Sequence, residues 1–178
     1  MCIYERILVP QKKRKSYYTA AKALHWLVAL IGILLLMSGW RAGDITPDNK
    51  PVFMMIHSGL GSLVFVLMLI RWWWRKKHKL YVRRQWYKKP SILIQLLFYP
   101  LLLLQPIIGV LQAAFTKYDV RAFDLINYSA LAVENEQMFN IFHKLHGIIA
   151  IVLILLLCIH TIDRAKQFFV EDEVSIPK

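Results

Sequence analysis

Acidic side chains are scarce in this sequence. Its 178 residues hold 11 Asp and Glu against 23 Lys and Arg, a formal net charge of +12. None of the acids falls within its four long apolar runs. Cysteine is scarcer still. Cys2 lies in the N-terminal tail and Cys158 inside the last apolar run, so no disulfide is expected. A strongly basic chain suggests nucleic acid, but here the positive charge lies in blocks between apolar runs, as in loops that orient a membrane protein. No nucleic-acid partner is therefore expected. Hydrophobic residues make up 57% of the chain, with a mean hydropathy of +0.43. Soluble domains rarely have such a composition.

The apolar runs are Ala23–Trp40, Val52–Ile70, Ser91–Phe115 and Leu145–Ile162. Each is long enough to cross a bilayer as a helix. They predict an all-α integral membrane protein, a single domain with spans at about 21–41, 52–75, 91–115 and 139–168. The first run is too long for a signal-peptide core, lacks a small-residue cleavage site, and reads as a span. Pro100 and Pro106 fall in the third, where neighbouring helices can satisfy the freed carbonyls. Between spans two and three lies the basic, aromatic-rich loop 71–89. Between three and four lies the longest loop, 116–138, whose mixture of apolar and charged residues predicts an interfacial lid. With both termini in the cytoplasm, the cytoplasmic segments carry 18 Lys and Arg and the outer segments 5. That bias predicts a multi-pass membrane protein, in contact with lipid, with that orientation.

Histidine is what the apolar runs do contain. An imidazole in hydrocarbon is costly unless something engages it. His146 and His160 are 14 residues apart, which places them within about 40° of one helix face and about 21 Å apart along the axis. The topology puts His25 and His160 near the inner leaflet and His57 and His146 near the outer. Two pairs at matched depth are what two six-coordinate, histidine-ligated b-type haems need. Zinc fits poorly, because two ligands per site are too few and no carboxylate in the runs completes a site. No CxxCH motif exists, so covalent haem attachment is not expected. His143 lies about 100° off the His160 face and reads as an interfacial residue. His78, in the basic loop, reads as solvated. Gly59 and Gly61 beside His57, and Gly147 beside His146, either admit a flat macrocycle or serve helix packing. Arg71 shares the His57 face at its inner end, where it pairs with a haem propionate or with headgroups. Lys117 and Arg121, in the outer loop, either attract an anionic reactant or snorkel. Met54, Met55 and Met68 read as packing residues, and Cys158 as inert.

Four segments in this order, ALHWLVAL around His25, MMIHSGLGSLVFVLMLIR from Met54 to Arg71, PIIG at Pro106–Gly109, and LHG to CIH from Leu145 to His160, resemble the bacterial cytochrome b561 family over roughly residues 20–170. That family includes superoxide oxidases. Its members often carry histidines near the start of helix 3, where this chain has SILIQ with Gln95. The resemblance implies a four-helix bundle holding two haem b groups. Helices 1 and 2 would give one ligand each (His25, His57) and helix 4 two (His146, His160). It implies a membrane oxidoreductase that passes electrons between a small outer-face donor, superoxide in the superoxide oxidase-like members, and ubiquinone. Two other readings remain open. One is a cytochrome b subunit that anchors a dehydrogenase or hydrogenase partner and relays its electrons. The other is a non-redox polytopic protein whose histidines only hydrogen-bond.

Overall fold

A computed structural model describes residues 11–77 and 90–174. Four helices carry the fold: α1 (Gln11–Arg41), α2 (Lys50–Lys77), α3 (Pro90–Ala114) and α4 (Glu136–Val174). All four are long and apolar enough to cross a membrane. Helix is the form the backbone must take there, because it satisfies its own N–H and C=O groups where no water can. α3 continues through Pro100 and Pro106. Neighbours in sequence pack on one another, α1 on α2, α2 on α3 and α3 on α4. Consecutive helices run antiparallel, so one end of the bundle gathers the C-termini of α1 and α3 with the N-termini of α2 and α4.

The interior is thin, as expected when the outside is lipid. Val28 and Ile31 of α1 and Val64 and Met68 of α2 form one buried cluster, flanked by Leu102 and Leu103 of α3. Large apolar side chains such as Trp26, Leu30, Val66 and Leu155 point outward. The bundle is held by shape and by hydrogen bonds between helices rather than by apolar burial from water.

The loop between α3 and α4 is folded. Arg121–Ala122 (β1) pairs antiparallel with Ile126–Asn127 (β2), with Arg121 opposite Asn127 and Ala122 opposite Ile126. The turn is closed by the Leu125 N–H to the Ala122 carbonyl at 2.9 Å. Phe123 and Asp124 take positive φ values of 47° and 59°. This is the twist that a tight hairpin requires, and it costs about 1–3 kcal/mol for each side chain that is not glycine. Contacts with α2 hold the strained turn in place. The Phe123 ring lies 2.6–2.7 Å from where a Cβ on Gly59 would be, so only glycine fits there. The Ser58 hydroxyl donates to the Arg121 carbonyl at 2.9 Å, and Ser62 shares a 2.6 Å hydrogen bond with the Tyr128 hydroxyl. Val120, Ala122 and Tyr128 bury against Ala113 and Val110 of α3. At its base the Asn135 N–H donates to the Phe115 carbonyl at 3.1 Å, closing the excursion before α4 begins.

Gly59→Ala should therefore displace Phe123 and weaken the hairpin by about 1–3 kcal/mol, the usual cost of forced overpacking. Hydrogen exchange of the amides in 120–128 should accelerate while that of α3 and α4 stays unchanged. Unaltered exchange in the hairpin would refute the role given to Gly59.

Candidate functional site

The end of the bundle that carries the hairpin also carries His57 and His146. His57 is reached by the last turn of α1. The Ser38 hydroxyl lies 2.8 Å from His57 Nδ1 and donates to the Leu35 carbonyl at 3.0 Å. A hydroxyl has one proton. With that proton on Leu35, Ser38 accepts from His57, so Nδ1 carries the hydrogen and the Nε2 lone pair is left for a metal. This is the arrangement by which outer partners orient ligating histidines. The Phe53 ring stacks on His57 with centroids 5.9 Å apart. A Cβ on Gly39 would be 3.7 Å from His57 Cε1, in ordinary contact.

His146, on α4, lies against α3. A Cβ on Gly109 would be 3.1 Å from its Cε1, tighter than ordinary packing, so glycine gives the ring its room. Gln105, one turn earlier on α3, donates from Nε2 to the His146 carbonyl at 3.0 Å. The His146 Nδ1 and the Gln105 Oε1 are buried without a hydrogen-bond partner. A buried imidazole with an unsatisfied nitrogen is costly in hydrocarbon, and a ligand role is what such a ring is suited to.

The other end holds His25 and His160, whose ring centroids are 6.4 Å apart with planes at 71°. At that separation the two rings could hold one metal ion between them, a nitrogen from each. Phe98 of α3 meets His160 edge-on at 5.9 Å. Arg71 donates to His25 Nδ1 at 3.1 Å and to the Tyr99 hydroxyl at 3.2 Å, and its guanidinium lies over the Tyr99 ring at 5.8 Å. A neutral His25 that accepts at Nδ1 carries its hydrogen on Nε2, so ligation there would require Arg71 to release Nδ1, and the freed guanidinium would suit an acidic substituent of the bound group.

Between the two ends, an apolar cleft of about 370 Å³ opens between α1 and α4, lined by Ile33, Leu36, Met37 and Trp40 on one side and Ile154 and Leu157 on the other. Among the described residues, no cluster of three or more His, Cys, Asp or Glu could hold a metal ion by itself. Paired imidazoles suit a metal whose remaining positions are filled by a prosthetic group, as in haem.

The remaining candidates are placed differently. His143 accepts from Gln112 Nε2 of α3 at 3.1 Å and stacks on Phe139 at 5.7 Å. His78 and residues 79–89 of the basic loop lie outside the described residues. Lys117 is exposed, its Nζ 5.4 Å from the Tyr118 ring centroid. Arg121 is engaged by Asp119 at 2.9 Å and Asp124 at 3.3 Å. The nearby charges of Asp119 and then Asp124 push its pKa further up. Two carboxylates cancel its charge locally, which leaves Lys117 as the better lure for an anion. The glycines that meet histidines are Gly39 and Gly109. Gly59 faces the hairpin, and Gly61 and Gly147 face open space. Ser38 and Gln105 were not singled out by the sequence, though each had a signal. Ser38 is the one hydroxyl in the first apolar run, and Gln105 stands four residues before Gly109, on the same face.

No curated protein matches the chain. Residues 16–166 match the family model described as prokaryotic cytochrome b561. The match covers His25, His57, His146 and His160 and reaches all four membrane helices. The chain belongs to the prokaryotic cytochrome b561 family, transmembrane b-type cytochromes of electron transfer.

Proposed function

We propose that this protein is a stand-alone di-haem oxidoreductase of the bacterial inner membrane, with both termini in the cytoplasm. In this reading it moves electrons from a small donor at the hairpin face to ubiquinone, and superoxide is the donor. The observation that supports the reading is the placing of two histidines toward each end of one bundle, with α4 common to both ends and the His25 and His160 rings in contact. His57 and His146 would hold one haem, His25 and His160 the other. A haem b bound in this way supplies a reversible one-electron couple. The residues of the chain do the rest. Ser38 holds the His57 ring in one tautomer. Gly109 makes room for His146. Arg71 offers a charge-assisted donor to a carboxylate at the His25 end. Lys117 draws an anion to the hairpin face. The net reaction balances as two superoxide, one quinone and two protons giving two dioxygen and one quinol.

Four alanine variants test the pairing. His57→Ala and His146→Ala should each lose the same haem, and His25→Ala and His160→Ala the other. His143→Ala should keep both. Haem content per chain and dithionite-reduced minus oxidised spectra read the result. Loss of a haem in His143→Ala with both retained in His146→Ala would overturn the assignment, and no b-type band in the unaltered, haem-supplied protein would sink the redox reading.

Ser38→Ala removes the acceptor for His57 Nδ1–H. Haem affinity at that site should fall by about 10–100-fold, the usual effect of losing such a partner. Redox titration should show the potential of one haem raised, since the imidazole becomes a weaker donor, with the other unmoved. Ser38→Thr should restore both. Equal shifts in the two haems would contradict the contact.

Superoxide generated by xanthine oxidase should reduce the haems of the purified protein, with superoxide dismutase abolishing the effect. Haems left oxidised would rule out that substrate. A partner protein that co-purifies in stoichiometric amount would favour the anchoring-subunit role instead.

A further inference from the structure

The hairpin meets α2 at Met55, Ser58, Gly59 and Ser62. The Phe123 N–H donates to the Met55 carbonyl at 3.4 Å, and the contacts of Ser58, Gly59 and Ser62 with Arg121, Phe123 and Tyr128 follow down the helix. All four α2 residues lie inside the apolar run Val52–Ile70. At a rise of 1.5 Å per residue they stand about 5–15 Å below the start of that run. The run itself is about 28 Å long, close to the hydrocarbon thickness of a bilayer. An element docked at those residues is beside the apolar run rather than above it.

We propose that the hairpin is seated in the membrane interface, with Phe123, Leu125 and Ile126 in contact with lipid. The depth of its docking is the first reason. The second is its surface. Leu125 is 83% exposed and Ile126 54% exposed. Leu131 and Val133, further along the same loop, are exposed as well. Ile56 and Leu63 of α2, also exposed, flank Gly59 at helical spacing, so the Phe123 ring on Gly59 continues the lipid-facing stripe of α2. The third is backbone satisfaction, which non-helical chain needs at this depth. The Leu125 N–H is taken by the Ala122 carbonyl, the Tyr128 N–H by the Val120 carbonyl, the Val120 N–H by the Ser129 hydroxyl, and the Arg121 carbonyl by Ser58. The charges of the turn are paired among themselves, Arg121 with Asp119 and Asp124. Paired charges suit the polar layer immediately above the hydrocarbon.

A nitroxide at position 125 tests this. The label is placed on Leu125→Cys in a chain carrying Cys2→Ser and Cys158→Ala, reconstituted in phosphatidylcholine and phosphatidylglycerol vesicles. Power-saturation electron paramagnetic resonance then compares collision with dissolved oxygen and with a water-soluble nickel chelate. Oxygen collisions should dominate at 125, with the same order at Ile126→Cys, as at a label on Cys158, which is exposed on α4. Leu125 is largely exposed, so its replacement removes no packing. Dominance of the chelate at either position would place the turn in water and overturn the proposal. Protection from both reagents would show a protein partner or a second copy covering the turn, and would overturn it equally.

Discussion

In hydrocarbon, water completes no hydrogen bond, so a polar group must find its partner within the protein. The inner contacts of this protein follow from that constraint. Ser38 spends its proton on Leu35 and its lone pair on His57. Gln105 reaches across to the His146 carbonyl. Ser58 and Ser62 satisfy a hairpin that no helix could satisfy from within. The atoms left over are informative for the same reason. Among them, His146 Nδ1 and Gln105 Oε1 are buried without partners, at the end of the bundle where a ligand role is proposed.

The four helices divide the labour. α4 carries one histidine toward each end: His160 meets His25 of α1, and His146 stands at the end that carries His57 of α2. α3 contributes no histidine but shapes both sites, with Gly109 beside His146 and Phe98 beside His160. α1 serves both ends also: His25 belongs to one pair, while Ser38 steadies a ring in the other. A helix without a histidine is thus as much a part of the two ends as one with two.

Much of the bundle was legible in the sequence, because hydrophobic run length and charge bias are properties of single segments. Four apolar runs became four membrane-length helices. The proximity of His25 and His160 followed from depth alone. What was not legible depends on contact between distant residues. Nothing around Gly59 in the sequence says that its neighbour is Phe123, so its smallness read as room for a macrocycle or as helix packing. Tight hairpins announce themselves through Asn or Gly at positive φ. This one uses Phe123 and Asp124, held by tertiary contacts, and its turn chemistry is silent. Arg121 looked like a lone outer cation because its two carboxylate partners matter only once the turn folds back.

The hairpin grips α2 within one turn of His57: Met55 and Ser58 flank that histidine in sequence, and Gly59 follows at once. The same short piece of helix therefore belongs to two sites. A change in how the turn is seated shifts the rung from which the imidazole projects. Binding at the histidine must in return bias the seat of the turn by the same free energy, since such coupling is reciprocal. Under the proposed haem ligation and the proposed seating of the hairpin, lipid composition on that side of the membrane becomes a variable that the redox site can feel, transmitted through five residues of one helix.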